Sequence, residues 1–377
     1  MRVRRLLAVS RKEYLHVRRD SRSLGLGLAI PVVLLLLFGY VLTLDVDRVP
    51  LAVWDRSRTP ESRELVSRFE GSRYFHVAMR AERYSEMEEA IEEGRVLAAL
   101  VIPEDFSGRV RSDRSSTVQL LLDAAEANTA TIALGYAEAV VSGYSADLEV
   151  RWARAKGLQG VRPPLDVRSR VWFNTDLESR NFIIPGLISV IMMIIAALLT
   201  SLTVAREWEQ GTMEQLIATP VTAAELILGK LLPYFVIGMA DLAVAVAMGK
   251  YLFHVPMRGS LPLLFGIAAV FLVGALSLGM LFSVSARSQL PASQMAMAFT
   301  FLPSYLLSGF VFSIDSMPRA VRAVTYLVPS RYFVKVIKGI YLKGVRLETL
   351  AADTALLLVF GAAMALAATR LFRKKLG

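Results

Sequence analysis

The apolar residues of the chain are concentrated in long stretches. In a soluble protein, apolar and polar residues instead alternate over a few positions. Six apolar stretches are each about as long as the roughly 20 residues that a helix needs to cross a membrane. They cover residues 24–44, 182–204, 226–249, 261–285, 292–313 and 350–371. The pattern predicts an α-helical integral membrane protein with six transmembrane helices, the second to sixth lying within residues 182–371.

The 137 residues between the first two apolar stretches, residues 45–181, are polar enough to form a soluble domain. Short apolar runs at 49–55, 95–103 and 116–124 have the length and composition of buried strands. Segments with helical periodicity separate these runs, and an alanine-rich helix is predicted to begin near Asn128. The sequence therefore predicts an inserted α/β domain.

The loop before the last apolar stretch does not fit this topology well. Residues 314–349 carry seven lysines and arginines, yet six helices would place them outside the cell, where positive charge is disfavoured. Apolar residues recur there at helical spacing, with Lys335 and Lys338 off the apolar face. That face consists of Phe333, Val336, Ile337, Ile340 and Tyr341. We expect an amphipathic segment that lies at the membrane interface or partly re-enters the membrane.

Composition and charge agree with a membrane protein and set its orientation. The chain is 54% hydrophobic, its mean hydropathy is +0.48 and its formal net charge is +10. Residues 1–23 contain eight lysines and arginines, and residues 372–377 are basic again. Because lysine and arginine favour the cytoplasmic side, we expect residues 1–23 and the tail at 372–377 to be cytoplasmic and residues 45–181 to be extracytoplasmic.

The sequence also argues against a cleaved signal peptide and against nucleic-acid binding. No small-residue cleavage site follows residues 24–44, so we interpret this stretch as an uncleaved transmembrane helix rather than a signal peptide. Outside the segments that flank the membrane, no basic face is interleaved with aromatic residues. Anionic lipid is therefore an expected partner of the basic ends, and nucleic acid is not.

The motifs of nucleotide hydrolysis and of common catalytic centres are missing from the sequence. It contains no G-x-x-x-x-G-K-[ST] phosphate loop, no H-E-x-x-H and no G-x-S-x-G. It has no cysteine, and its three histidines are far apart. We predict that the chain is not an enzyme and binds no metal or cofactor by itself.

Two ionisable residues interrupt the third apolar stretch. Asp241 lies inside it, where a charge is costly. The side chain either serves a substrate or cation pathway, packs or forms a hydrogen bond between helices, or lies near the membrane edge. Lys230 lies near the end that would be cytoplasmic, and we interpret it as a side chain that snorkels to the membrane surface.

The segment between the second and third apolar stretches carries unusually dense local signals. Gly211 should break the preceding helix, and Thr212 has the spacing to Gln215 of a capping box that starts a short new helix. Thr219 precedes Pro220 and should end that helix. A second capping box, Thr222 with Glu225, precedes the third apolar stretch.

The short helix should be amphipathic. Met213, Leu216 and Ile217 fall on one of its faces, which lipid headgroups or a cytoplasmic protein could cover. We favour the protein, because a helix with defined ends can transmit a displacement.

This segment, "AREWEQGTMEQLIATPVTAAELILGK", resembles the cytoplasmic loop of type-2 ABC transporter permeases. Two further stretches are similar to that family, "FLPSYLLSGFVFSIDSMP" near the end of the fifth apolar stretch and "LVPSRYFVKVIKGIYLKG" before the last. The inserted domain is similar to that of the subfamily with a large extracytoplasmic domain after the first helix, the bacterial multidrug-type exporters.

The resemblance implies that residues 206–220 hold a coupling helix for a separate ABC ATPase. The implied coupling residues are Arg206, Glu207, Gly211, Thr212, Met213, Glu214, Leu216, Ile217, Thr219 and Pro220. The apolar face of this helix is then expected to be buried only when the ATPase is bound. ATP and magnesium would be held by the ATPase.

The resemblance also implies a cytoplasmic amphipathic helix within residues 1–23 and an assembly in the bacterial inner membrane. The chain would pair with a second permease, identical or similar, and move a hydrophobic or amphipathic substrate outward along a path between them. Asp241 is a candidate for that path, as are Ser304 and Ser308, whose spacing would let helices approach closely. A periplasmic adaptor and an outer-membrane channel are further implied partners. The alternative is a membrane scaffold or receptor that binds a periplasmic partner through its outer domain without transport.

Overall fold

The computed structural model describes residues 3–41, 48–112, 114–125, 127–155 and 178–372. The chain divides into two compact units, which we name the helical unit and the α/β unit. The helical unit contains Met1–Thr43 and Val171–Gly377, and the α/β unit contains Leu44–Arg170. Apart from residue 372, the predicted basic tail lies outside the described residues, as do the last residues of the first apolar stretch.

Two helices begin the helical unit. Helix α1 (Val3–Arg19) covers most of the predicted amphipathic segment, and α2 (Ser21–Val41) covers the first apolar stretch. The apolar part of α2, Gly27–Val41, is shorter than a typical membrane span, and the helix contains Pro31.

The α/β unit is a four-stranded sheet with helices on both faces. Its elements are β1 (Val49–Asp55), α3 (Pro60–Glu70), β2 (Phe75–Arg80), α4 (Tyr84–Glu92), β3 (Ala98–Ile102), α5 (Phe106–Arg111), β4 (Gln119–Leu122) and α6 (Ala127–Ala155). The strand order is β2-β1-β3-β4, with β1 parallel to both β2 and β3 and with β4 antiparallel to β3. Three of the strands lie within the predicted runs, whereas β2 was not predicted.

Successive side chains of β1 point to opposite faces of the sheet and contribute to two separate hydrophobic cores. Leu51 and Val53 pack on one face with residues of α3 and α6, while Ala52 packs on the other with Met87 of α4. All four side chains are almost fully buried. The unit is therefore a three-layer α/β structure with its larger core on the side of α3 and α6.

A partly exposed ion pair joins α5 to α3 in this unit. Arg111 donates to both carboxylate oxygens of Glu61, at 2.8 and 3.1 Å, and the Ser107 hydroxyl donates at 2.7 Å. These donors, the Arg111 guanidinium first, hold the pKa of Glu61 at about 2, below its ordinary value of 4.5. A lowered pKa adds stability at any pH above about 4.5 and loses it as the pH falls toward 2.

Replacing Arg111 with methionine should therefore loosen α5 at neutral pH. We expect a loss of about 1 kcal/mol or less, because the pair is partly exposed and screened. Hydrogen exchange of peptides from α3 and α5 in the full-length protein measures it, and the difference from wild type should shrink below about pH 4.5. Arg95→Met removes a comparable surface pair with Glu93 and should leave these peptides unchanged. Equal exchange in both variants at pH 7 would contradict the assignment.

The rest of the helical unit consists of eight α-helices within the described residues. They are α7 (Ser179–Glu209), α8 (Thr212–Ala218), α9 (Ala223–Ala247), α10 (Leu261–Ala286), α11 (Gln289–Leu306), α12 (Arg319–Thr325), α13 (Pro329–Lys338) and α14 (Leu347–Leu371). Helix α9 continues as a π-helical turn, Met248–Leu252, and α13 as another, Gly339–Lys343. Among the described residues, α7, α9 with its π turn, α10 and α14 are long and apolar enough to cross a membrane.

Helix α7 is the centre of this unit, since it packs against α2, α9, α10, α11 and α13. Its seam with α10 is close and polar. Thr200 donates to the carbonyl of Leu276 at 2.9 Å, and the Ser283 hydroxyl accepts from the backbone N–H groups of Val204 and Ala205, also at 2.9 Å. Interhelical hydrogen bonds of this kind hold membrane helices together where the apolar driving force is absent.

The predicted fifth helix ends earlier than expected. The apolar stretch was predicted to continue as a helix to residue 313, but α11 ends at Leu306. Gly309 has a φ of +79°, a left-handed conformation that an α-helix cannot contain. The chain therefore bends after α11 although its composition stays apolar.

The basic loop at 314–349 satisfies much of its charge within the chain. The five residues of its predicted apolar face are all buried. Lys335 pairs with Asp353 of α14 at 2.8 Å, and Lys338 donates to the carbonyl of Gly309 at 3.0 Å while lying 3.5 Å from the centre of the Phe182 ring. These contacts offset part of the positive charge of the loop within the chain itself.

Candidate functional site

The candidate site is the corner where α7 turns into α8 and then α9. Gly211 makes the turn possible, because its φ of +70° lies in the left-handed region that glycine adopts without strain. The predicted capping box at Thr212 is wrong, since α8 has no side-chain cap at its start. The Thr212 hydroxyl instead donates to the carboxylate of Glu207, one turn back on α7.

The far end of α8 agrees with its sequence signals. The helix ends at Ala218, and Thr219 before Pro220 is extended, with φ −75° and ψ 154°. The second capping box is confirmed: the Thr222 hydroxyl accepts from the Glu225 N–H at 3.3 Å, and the Glu225 carboxylate accepts from the Thr222 N–H at 3.0 Å. Helix α8 is thus bounded on both sides by fixed backbone geometry.

The apolar face of α8 packs against the chain itself. Met213 is 1% exposed and belongs to the core of the helical unit, and Leu216 and Ile217 are half-buried against that core. The expectation that this face is buried only when an ATPase is bound is therefore wrong. The opposite side of the helix, with Glu214 and Ala218, is the exposed one.

A buried ion cluster lies directly behind this corner. Lys230 of α9 is 1% exposed and donates to Glu13 of α1 at 2.8 Å and to Glu207 of α7 at 3.0 Å. Tyr234 donates to Glu13 at 3.1 Å, and Lys12 donates to Glu207 at 3.0 Å. The interpretation of Lys230 as a snorkelling side chain is wrong, because its ammonium group is held inside the protein by two carboxylates.

The neighbouring residues of α7 contact other elements. Arg206 lies 3.0 Å from the carboxylate of Asp20 and 3.2 Å from a ring nitrogen of His16, both at the end of α1. The Arg287 guanidinium stacks on the Trp208 ring at 4.9 Å. Consecutive side chains at the end of α7 therefore contact α1, α8, α9 and the turn between α10 and α11, so that all of these elements meet at this corner.

Glu209 completes the corner by capping a helix other than its own. Its carboxylate accepts from the Ser288 hydroxyl at 2.7 Å and from the backbone N–H of Gln289 at 2.8 Å, and also from the Gln289 side chain. Within the described residues α11 has no side-chain cap from its own sequence. A carboxylate at a helix N-terminus is favourable, so the start of α11 depends on the position of α7.

Sequence reasoning missed Glu13, Lys230 and Tyr234 as members of the site. The signals were an acidic residue within a strongly basic segment and a lysine within an apolar one. Pairing them requires knowing that α1 lies on α9, where Gly229 leaves room for Val9. That packing joins residues more than 200 positions apart, and no local pattern reports it.

The candidates for a translocation path do not meet in one place. Asp241 of α9 lines a cavity to which neither Ser304 nor Ser308 contributes. Ser304 is buried in α11, which packs against α7 and α10. Ser308 follows the end of α11 and its hydroxyl accepts from the N–H of Phe310 at 3.2 Å, so the two serines do not lie one turn apart on one helix.

Residues 22–370 match the model of the family described as ABC-2 family transporter protein. Over 342 residues, 90% of this chain and 89% of the relative, the chain is 38% identical to the probable multidrug ABC transporter permease YbhS of Escherichia coli K12. It is 30% identical to the probable multidrug ABC transporter permease YbhR of the same strain, over 98% of this chain and 99% of YbhR. It is 28% identical to the inner membrane transport permease YhhJ of Escherichia coli K12, over 88% of this chain and 87% of YhhJ.

Proposed function

Because this chain belongs to the ABC-2 transporter family, we propose that it is the permease subunit of an ATP-driven exporter for hydrophobic or amphipathic molecules. Family membership implies an ABC ATPase partner and a pairing of permeases. We infer that the ATPase is a separate chain that holds ATP and magnesium, and that a second permease, identical or similar, completes the path.

The arrangement in the membrane is part of this proposal. Helices α2, α7, α9, α10, α11 and α14 are the six spans, with both termini of the chain cytoplasmic. The α/β unit is then extracytoplasmic and would receive a periplasmic adaptor. Asp241 and Ser304 remain candidates for residues that line the path.

The observation that carries the proposal is the geometry of α8. It is a short helix with fixed ends, anchored by Met213 in the core, and its exposed side carries Glu214 and Ala218. A partner that pushes on this side moves the end of α7, and with it the Glu207 and Glu209 contacts to α9 and α11. We propose that ATP binding in the partner drives transport through this corner.

Introducing positive charge on the exposed side of α8 tests the docking. Glu214→Arg and Ala218→Arg should each weaken ATPase binding at least about tenfold, since an unpaired charge inside an interface is costly. Co-purification with the ATPase and ATP-driven uptake into inverted vesicles measure the effect. Glu348→Arg makes the same charge change at an exposed position that begins α14 and should bind normally.

Met213→Ala separates docking from folding. Because Met213 is buried, its truncation should cost about 2–5 kcal/mol of unfolding free energy. We expect a lower melting temperature in the absence of the ATPase, which the two arginine variants should not show. If all three α8 variants bind the ATPase and transport normally, α8 is not the coupling element.

A further inference from the structure

Asp241 is a buried carboxylate without a partner. It is 7% exposed in the middle of α9, and within the described residues no hydrogen bond or ion pair reaches it. Asp353 of α14 is equally buried, at 6% exposed, but is paired with Lys335 at 2.8 Å. Ionisable side chains in membrane helices are costly and usually face a partner or a cavity, so Asp241 lacks what Asp353 has.

Asp241 lines a cavity within the helical unit. Its volume is about 20 Å³, enough for one group the size of a water molecule. Helix α9 contributes Tyr234, Gly238, Asp241 and Ala245, which share one helical face. Since the Tyr234 hydroxyl is engaged by Glu13, the Asp241 carboxylate is the acceptor that this face offers to an occupant.

The remaining lining is apolar. It comes from α2, α7 and α10, with Leu35, Met192 and Leu272 among its members. A single carboxylate is a poor site for a metal cation, which takes several oxygen ligands. An anion would be repelled, and a neutral polar group would gain little. The chemistry that matches is a monovalent cation that brings its own hydrogen-bond donors and an apolar body.

We propose that Asp241 binds the ammonium group of an amphipathic amine in this cavity, with the hydrocarbon of the amine extending out past the apolar side chains of α2, α7 and α10 that line it. An ammonium group is about the size of a water molecule, and its three N–H donors match the acceptor sites of a carboxylate. Pairing the two groups offsets the cost of burying the charge of the carboxylate and the charge of the ammonium group. This inference names a substrate class for the proposed exporter and rests on that function.

Binding to the purified full-length chain in phosphatidylcholine nanodiscs tests the proposal without the ATPase. The probes are radiolabelled dodecylamine and dodecanol, which share a chain length and differ in charge, with empty nanodiscs subtracted. We expect saturable binding of dodecylamine that Asp241→Asn weakens at least about tenfold, because a charge-assisted hydrogen bond is lost. Dodecanol binding should be the same in both proteins.

Asp353→Asn is the matched control, since it neutralises an equally buried aspartate that already has a partner, and it should bind dodecylamine like wild type. Ala245→Leu keeps the carboxylate and fills the cavity from the same helical face, and it should also weaken dodecylamine binding. This variant decides the question if Asp241→Asn does not fold. Unchanged dodecylamine binding in Asp241→Asn or Ala245→Leu would overturn the proposal.

The amine can come from a lipid or from a free molecule. Nanodiscs that contain phosphatidylethanolamine distinguish the two, because a lipid amine in the site would compete and lower the apparent affinity for dodecylamine. Equal affinity in both lipids assigns the site to free amines. Intact dodecylamine binding together with absent ATP-driven transport would count against the proposed exporter and not against the amine site.

Discussion

Gly279→Ala is expected to be among the most damaging single-methyl changes in the helical unit. A Cβ atom at residue 279 of α10 would lie 2.7 Å from the Cα of Ala197 in α7, and still closer to the Ala197 carbonyl oxygen and the Thr200 hydroxyl. The Ala197 atoms are backbone and cannot rotate away, so α7 and α10 would have to separate. Separation also stretches the hydrogen bond from Thr200 to Leu276.

We expect a loss of about 3 kcal/mol or more, at the upper end of overpacking in well-packed cores. Thermal unfolding of the full-length protein in detergent or nanodiscs measures it as a lower melting temperature. Gly266→Ala supplies the control, because it lies in the same helix and a Cβ there meets nothing within 4 Å. If the two alanine variants have the same melting temperature, α7 and α10 do not pack as closely at Gly279 as the structure indicates.

Lys230→Met should be comparably severe for a different reason. Glu13 and Glu207 are balanced by Lys230 and Lys12, and removing the buried lysine leaves one uncompensated negative charge behind the corner. Breaking a buried pair in this way costs about 3–5 kcal/mol. We expect poor folding, weaker attachment of α1 to α9 and loss of transport.

Lys12→Met is the matched control, because Lys12 pairs with the same Glu207 but its side chain is 52% exposed. It should cost about 1 kcal/mol or less. Adding Glu13→Gln to Lys230→Met removes the excess charge and should restore part of the stability, which a double-mutant cycle measures. Equal melting temperatures for the two lysine variants would show that the cluster is not buried in the folded protein.

The sequence predicted the features that local chemistry controls. The apolar stretches locate the long helices, because backbone groups in lipid must be satisfied within a helix. Gly211 and Thr219 with Pro220 bound α8 as predicted, and the Thr222–Glu225 capping box is present. These signals depend on neighbours a few residues apart and need no knowledge of the fold.

The failures depend on tertiary contacts. Thr212 was expected to cap its own helix, but its hydroxyl is taken by Glu207 across the corner. Met213 was expected to be buried only when the ATPase is bound, but the core of the same chain already buries it. Residues 307–313 are apolar without being helical, since Gly309 turns the chain.

Strand β2 was missed although a signal existed. Its side chains alternate between buried or half-buried and exposed along Phe75–Arg80, the period of a strand with one covered face. Its six residues are few, and they include a histidine and an arginine that interrupt the apolar pattern. The parallel pairing of β2 with β1 is a long-range choice that the strand itself does not encode.

The length of α7 has a mechanical consequence. Its 31 residues extend about 46 Å, whereas the hydrocarbon of a membrane is about 30 Å thick, so the lipid tails cannot cover the whole helix. A helix of this length magnifies rotation. A tilt of about 5° around its midpoint shifts each end by about 2 Å, the size of helix displacements in many allosteric proteins. The buried cluster and the Glu209 cap therefore sit where a small rotation of α7 produces its largest travel.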